Sequence, residues 1–293
     1  MEDGRELERD QVSVPKPDMP DLIQREIHEH ETLLSFDSDW HKRLRVSAGT
    51  APRVVAWFSC GAASAVAARL AVGKYGSRAD VVYCDTMASE HPDNARFMRD
   101  VERWLGRPVT RIRSDEFATV DEVFVKTRYM AGISGARCTT EMKKVPRFRY
   151  QRADDIHIFG FTADETHRIE RFALTNPELE CEWILRDLGW DKDECLAQIR
   201  LAGIELPAMY ALGYRNNNCL GCVKATGARY WQMIRRDFPD VFERRARQSR
   251  ELGVRLTRVR GERVFIDELP LNYMPAEPLE NISCGPECKG GAE

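Results

Sequence analysis

The sequence predicts an α/β protein built on a doubly wound, mostly parallel sheet, with a smaller helical and loop-rich, cysteine-rich region after it. Short β-prone runs alternate with helical segments from residue 51 to about residue 171, which is typical of parallel strands joined by right-handed crossovers. From about residue 172 the pattern becomes helical and loop-rich, and most of the late cysteines lie there. The predicted organisation is therefore a charged, partly helical extension (1–50), an α/β domain (51–171) and a C-terminal region (172–293).

Composition narrows the class of protein. The 293 residues, 43% of them hydrophobic, can bury a substantial core, and a net charge of −3 gives no overall basic field for nucleic acid. No apolar run approaches the ~18 residues of a membrane span, and the first residues lack a signal-peptide core. We therefore expect a cytoplasmic protein without a membrane partner. Thiols stay reduced in that compartment, so the nine cysteines favour metal binding or catalysis over disulfides.

A strand at 54–58 leads into a turn of small residues and then an alanine-rich helix. This geometry directs free backbone N–H groups and the helix dipole at one point, where phosphate binds well. Glycine allows close backbone approach to an oxygen, and serine hydroxyls add donors. The predicted phosphate-binding residues are Ser59, Cys60, Gly61, Ala62, Ala63 and Ser64. The alternative is a tight buried turn that binds no ligand.

Further strands are predicted at 79–83, 109–112 and 156–160. Ligands of such sheets bind beyond the carboxyl ends of the strands, which places the residues after each strand near the small-residue turn. Asp85, after the second strand, could hold a ribose or Mg²⁺ there. It could equally serve only as a helix cap.

The segment after the fourth strand carries Gly160, Glu165, Arg168 and Arg171. An arginine at this edge of the sheet would bind phosphate through charge-assisted hydrogen bonds, about twice as strong as neutral ones. An ordinary surface pair between Glu165 and Arg168 is the alternative. The strand-end position favours the phosphate role.

Cys138 is predicted at a helix start, between Arg137 and Lys143. The helix dipole and the two cations should lower the pKa of its thiol and make it a ready thiolate. In the alternative interpretation Cys138 is a small buried residue and Lys143 is solvated.

Two close cysteine pairs follow, Cys219 with Cys222 and Cys284 with Cys288, each with small turn residues between the thiols. Together they predict one four-thiolate site, suited to zinc or to an iron–sulfur cluster. Two unrelated reduced pairs are the alternative, and Cys138 grouped with Cys219 and Cys222 is another.

Four segments resemble, in the same order, motifs of the PP-loop (N-type ATP pyrophosphatase) superfamily, which includes the phosphoadenosine phosphosulfate (PAPS) reductases. Residues 59–64 resemble the SGGxDS pyrophosphate loop, with Cys60 for the second glycine and Ala63 for the aspartate. Residues 85–90 resemble a DTG-x-E segment, with Met87 for the glycine.

Residues 137–146 are similar to the CCxxxKxxP segment of the cluster-bearing adenylylsulfate (APS) reductases, with Thr139 for the second cysteine. Residues 160–171 resemble G-x-R-x-x-E-S-x-x-R, with Thr162 for the first arginine. The order Cys138, Cys219, Cys222 resembles that of a 4Fe–4S site in the same reductases. Of the reductases' ECGLH tail only Cys284-Gly285 is present.

The resemblance implies an adenine nucleotide alpha hydrolase-like fold that binds ATP or a PAPS-type nucleotide, with Mg²⁺, and reacts at or near the α-phosphate. It makes Cys138, Lys143 and Arg168 the catalytic candidates. Three functions stay open: ATP-dependent adenylation linked to sulfur transfer or nucleic-acid modification, sulfonucleotide (APS or PAPS) reduction, and an inactive nucleotide-binding accessory module. The acceptor is not specified by the sequence; nucleic acid and a sulfur donor are both candidates.

Overall fold

The computed structural model describes residues 51–132, 135–275, 278–282 and 284–286. These residues belong to one compact unit, Ala48–Glu293. The predicted extension at 1–50 and the predicted ligand Cys288 lie outside the described residues. The predicted division at residue 171 stays a prediction.

Five parallel strands form the central sheet. In chain order, the strands of the described residues are β1 (Val54–Phe58), β2 (Ala79–Cys84), β3 (Thr110–Ile112), β4 (Ala131–Gly132), β5 (Gly135–Ala136), β6 (Ile156–Phe159), β7 (Glu180–Glu182), β8 (Thr257–Val259) and β9 (Glu262–Val264). The sheet order is β3-β2-β1-β6-β7, while β4 with β5 and β8 with β9 form small antiparallel pairs. The predicted α/β class with a parallel sheet is confirmed. The edge strand β7 was not predicted, because it is short and carries two glutamates.

Helices surround the sheet and build the C-terminal region. They are α1 (Ala62–Tyr75), α2 (Asn94–Leu105), α3 (Val120–Thr127), α4 (Arg137–Thr139), α5 (Val145–Tyr150), α6 (Thr166–Thr175), α7 (Ile184–Asp187), α8 (Lys192–Leu201), α9 (Ala208–Ala211), α10 (Ala228–Asp237) and α11 (Pro239–Glu251). A π-helical turn, Thr140–Lys144, joins α4 to α5. None of the helices in the described part of the chain combines the length and apolar character needed to cross a membrane.

Strand β1 is buried on both faces because its side chains alternate between two cores. Val54, Ala56 and Phe58 pack with the alanine-rich α1, whose small side chains allow the helix to lie close to the sheet. On the other face, Val55 and Trp57 pack in a core with the aromatic side chains of β6 and α6. The buried sheet therefore holds the carboxyl end of β1 in a fixed position.

A third core, centred on the buried Trp231 of α10, organises the cysteine-rich region. The helix α3, although it follows β3 in the chain, packs here through Val123 and Phe124. Conversely α8, which comes after residue 172, packs on the sheet core through Cys195 and Ile199. The sheet core and the third core are therefore each built from segments of both predicted regions.

Candidate functional site

A cavity of about 130 Å³ lies where β1 and β6 end. One side, which we call the sheet-edge wall, is formed by residues 59–64 and 159–168. The other, the cysteine wall, is formed by Lys143, residues 215–219, 281–282 and 284–286. Of the residues predicted from sequence, those that line it are Ser59, Gly61, Ala62, Ala63, Ser64, Lys143, Gly160, Glu165, Arg168, Cys219 and Cys284.

The turn at residues 59–64 has a defined internal structure. Cys60 has a φ of 55°, in the left-handed region that costs a non-glycine residue about 1 kcal/mol. The Ser64 hydroxyl accepts a hydrogen bond from the Ser59 amide (3.0 Å) and donates one to the Gly61 carbonyl (2.9 Å). Ser64 therefore braces the turn, and the N-terminus of α1 faces the cavity.

Gly160, directly after β6, permits a close approach to this turn. A Cβ atom placed on it would lie 2.6 Å from the Ser64 amide nitrogen and 2.7 Å from the Ser64 Cα. Both are backbone atoms, so a side chain here would displace the turn itself. This close approach explains sterically why a glycine is needed at position 160.

The segment after Gly160 forms a polar rim. The Thr162 amide donates to Glu165 Oε2 at 3.1 Å, and Arg168 is hydrogen-bonded to Glu165. The Arg168 guanidinium also lies over the Phe161 ring, 4.6 Å from its centroid. The i,i+3 pair considered as an alternative is formed, and Arg168 nevertheless lines the cavity. Its phosphate role stays a prediction.

Glu90 rather than Asp85 lines the cavity, together with Asp164 and Glu165. Asp85 accepts a hydrogen bond from Arg111 at 2.9 Å and is not one of the lining residues. Glu90 lines the cavity and is buried, with hydrogen bonds from Thr86 Oγ1 (2.5 Å) and Asn94 Nδ2 (2.7 Å). Arg171, also predicted to bind nucleotide, is exposed on α6 and does not line the cavity either.

Four thiols gather behind the cysteine wall: those of Cys138, Cys219, Cys222 and Cys284. A hydrogen bond from Cys222 lowers the pKa of the Cys284 thiol well below its usual range, and the Lys143 ammonium acts in the same direction. Lys143 Nζ donates to the Cys284 carbonyl at 2.9 Å. The structure therefore brings the two separate sequence segments that carry Cys138 and Cys284 together with the Cys219–Cys222 pair.

The predicted low pKa of Cys138 is wrong in direction. Burial raises the pKa of its thiol to about 11, and the neighbouring Cys284 adds to the rise. The helix α4 has only three residues, so its dipole is too short to offset the loss of hydration. Lys143, in the π-helical turn, is also buried rather than solvated.

Four cysteine sulfurs are a donor set that holds zinc or an iron–sulfur cluster. Burial, however, raises the pKa of the Cys138 and Cys219 thiols, and a hydrogen bond with Cys284 raises that of Cys222, so of these four only Cys284 has a lowered pKa. As the side chains stand, no three histidine, cysteine, aspartate or glutamate residues among those described are arranged to hold a metal ion. The four thiols therefore lie near one another, but they do not surround a single point at which a metal ion would be bound. Cys288 contributes nothing to this comparison because it lies outside the described residues.

Several cavity residues were missed by the sequence analysis. The Tyr210 hydroxyl accepts a hydrogen bond from the Ala62 amide at 3.3 Å. Asn217 Nδ2 donates to the Cys60 carbonyl (2.7 Å) and to Asn94 Oδ1 (2.8 Å). Other missed lining residues include Lys192, Arg215, Asn216 and Asn218. The run of three asparagines before Cys219 was the one local signal available for them.

Solved structures of other proteins resemble this chain. No family model matches the sequence, and no curated protein matches it. Among the solved structures that resemble it is a crystal structure of phosphoadenylyl-sulfate (PAPS) reductase from Candida auris, a phosphate complex. That protein is 15% identical, with a TM-score of 0.43, over 71% of this chain and 97% of its own. The reductase activity and the bound phosphate are properties of that protein, and this likeness does not extend them to the present chain.

Proposed function

We propose that the protein is an enzyme that binds an adenine nucleotide in this cavity and reacts at or near its α-phosphate. The observation that carries the proposal is the shared cavity: the α1 N-terminus, the carboxyl ends of two parallel strands, and the cations Lys143 and Arg168 all face one space. Free N–H groups, a helix dipole and basic side chains are the groups that bind phosphate. The order of the four resembling motifs supports an adenine nucleotide.

ATP-dependent adenylation of an acceptor, linked to sulfur transfer or nucleic-acid modification, is the form of this activity that we favour. The chain's own residues would hold the phosphates and orient the α-phosphorus toward the acceptor. Glu90, whose buried carboxylate lines the cavity, would hold Mg²⁺ through its oxygen atoms. Mg²⁺, when bound, would neutralise charge on the phosphates.

The thiol cluster extends the proposal to a metal centre. Cys138, Cys219, Cys222 and Cys284 would hold zinc or an iron–sulfur cluster, with Lys143 beside them. This set replaces Cys288 of the predicted four-thiolate site by Cys138. Such a centre would supply either a structural anchor for the cysteine wall or electron-transfer chemistry next to the nucleotide.

Sulfonucleotide reduction is a second candidate, favoured by one observation: Cys284, whose pKa is lowered well below its usual range, lines the same cavity. A thiolate there would attack the sulfur atom of the sulfonucleotide, forming a cysteine S-sulfonate and breaking the bond to the nucleotide, which leaves as AMP or adenosine 3′,5′-bisphosphate. An external dithiol reductant would then free sulfite and be oxidised to its disulfide. An inactive nucleotide-binding module is the third. Release of pyrophosphate from ATP supports the first function, release of sulfite from APS or PAPS the second, and nucleotide binding with neither product the third.

The decisive binding experiment uses Gly61→Val. Gly61 lines the cavity with a φ of −95°, and a Cβ there would meet its nearest atoms at 3.7 Å, so the variant should fold while its side chain fills the phosphate space. Gly73→Val in the helix α1 that follows, where a Cβ meets nothing within 4 Å, is the matched control. Calorimetry should show ATP binding lost in the first and retained in the second. Equal affinity in both variants would remove the basis of the proposal.

A further inference from the structure

Lys192, the first residue of α8, stands out among the cations of the cavity because of its partners. Its ammonium donates to two neutral acceptors, the Arg215 carbonyl and Asn216 Oδ1. It also lies 5.7 Å from the centroid of the Tyr210 ring. Across the described ranges no carboxylate oxygen lies within ion-pair distance of it.

The other lysine of the cavity, Lys143, interacts with different partners. It sits beside the thiol cluster and donates to the Cys284 carbonyl. Arg168 already pairs with Glu165. Lys192 is therefore a half-buried positive charge at the cavity that makes no close ion pair among the described residues, although Glu165, Asp164 and Asp193 attract it from a greater distance.

Lys192 is adjacent to the phosphate-binding turn through Tyr210. The same tyrosine whose ring lies under the ammonium accepts the hydrogen bond of the Ala62 amide, at the first residue of α1. Arg215, exposed at the cavity on the same side, adds a second cation. Burial lowers the pKa of Lys192 to about 8, and Arg215 acts in the same direction. A burial cost of this kind is offset when an anion binds.

We propose that Lys192 and Arg215 form a phosphate subsite beside the 59–64 turn, and that this subsite takes the two terminal phosphates of a nucleoside triphosphate. The assignment to the terminal phosphates rests on chemistry. Lys143 and Cys284 are the reactive groups of the cavity, so we assign the α-phosphate to them. Lys192 contacts Tyr210 and Asn216, which can bind a pyrophosphate group but supply no nucleophile. The proposal rests on the proposed nucleotide function and deepens it.

The test measures binding of ATP, pyrophosphate, AMP and adenosine 3′,5′-bisphosphate to the full chain by calorimetry. Lys192→Gln keeps a hydrogen-bond donor for the Asn216 side chain but removes the charge. It should weaken ATP and pyrophosphate at least about tenfold, the loss of one charge-assisted hydrogen bond, and leave AMP unchanged. Lys192→Arg, which keeps the charge, should restore most of the affinity. Lys126→Gln, an exposed lysine of α3 outside the cavity, is the matched control.

Three results would overturn the subsite. Unchanged ATP affinity in Lys192→Gln would show that the lysine contacts no phosphate. An equal loss for AMP and ATP would assign it to the α-phosphate. A loss for the bisphosphate but not for ATP would assign it to a 3′-phosphate. Failure of the unaltered protein to bind any of the four would instead reject the nucleotide function itself, so the two failures are distinguishable.

Discussion

The two walls of the cavity are held in place by different interactions. The sheet-edge wall extends directly from buried parallel strands, and its turn is braced by hydrogen bonds between near neighbours in sequence such as Ser59 and Ser64. The cysteine wall is joined to it by side-chain bonds between distant segments. Asn217 reaches the Cys60 carbonyl, and Asn218 donates to the Ile282 carbonyl at 2.9 Å. The first wall therefore depends on backbone packing, and the second on a small number of polar and thiol groups.

The largest expected effect concerns the metal proposed for the cysteine wall. A four-thiolate site can supply on the order of 10 kcal/mol of apparent binding energy, enough to order a segment with little apolar surface. Cys138→Ser should therefore lose the metal and make the 281–286 segment sensitive to proteases, while the sheet keeps its far-UV circular dichroism. Elemental analysis with absorbance separates colourless zinc from a brown iron–sulfur cluster.

Cys195→Ser is the control for that experiment, because Cys195 is buried in the sheet core away from the cluster. It should retain the metal in full. If Cys138→Ser also retains it while Cys288→Ser loses it, the correct set is Cys219, Cys222, Cys284 and Cys288, as the sequence first suggested.

The next effect concerns the sheet-edge wall. Gly160→Ala forces backbone of the turn aside, because the added Cβ would lie 2.6 Å from the Ser64 amide nitrogen. We expect a loss of about 3 kcal/mol in the free energy of unfolding, the upper part of the usual cost of overpacking. Nucleotide binding should fall with it. Gly73→Ala serves as the control in urea titrations, and equal stability of the two variants would contradict the close approach.

A smaller effect should appear in the sheet at low pH. His157 is fully buried and accepts a hydrogen bond from Trp57 Nε1 at 3.0 Å; burial lowers its pKa to about 4. The unfolded chain takes up the proton near pH 6.5, whereas the folded chain does so only near pH 4. Stability from this group is therefore present above pH 6.5 and is lost as the pH falls, by about 2 kcal/mol at pH 5.

Urea titrations of His157→Gln against pH check this expectation. In the variant, the free energy of unfolding should no longer fall by this amount between pH 6.5 and pH 4. In His167→Gln, at a fully exposed position, it should still do so. If the free energy of unfolding of His157→Gln depends on pH as that of the unaltered protein does, the acid sensitivity belongs to other groups.

The same contrast explains what the sequence could predict. Four of the five sheet strands and the turn at 59–64 are local features, visible as apolar runs and small residues, and Gly160 follows from its place after a strand. Cys284 was predicted as a ligand from its pairing with Cys288, but its proximity to Cys138 arises only when segments more than 140 positions apart meet. Lys192 and Tyr210 lie in segments that contain no recognisable motif. The third core, which positions Cys219 and Cys222, has no periodic pattern of apolar residues in the sequence that would predict it. Burial, which reverses the expected pKa shift of Cys138, is likewise a property of the folded chain.

The hydrogen bond between Asn217 and the Cys60 carbonyl has a consequence for the order of folding. It joins residues 157 positions apart, and the bond between Lys143 and the Cys284 carbonyl joins residues 141 apart. Closing loops of this length costs chain entropy, and the contacts offset this cost only once they have formed. Such contacts therefore form late in folding. During synthesis the strands β1, β2, β3 and β6 can pair while the cysteine wall is still being made. The turn at residues 59–64 can then form well before the cavity that it lines, and the proposed nucleotide affinity should emerge only after residue 286 has left the ribosome.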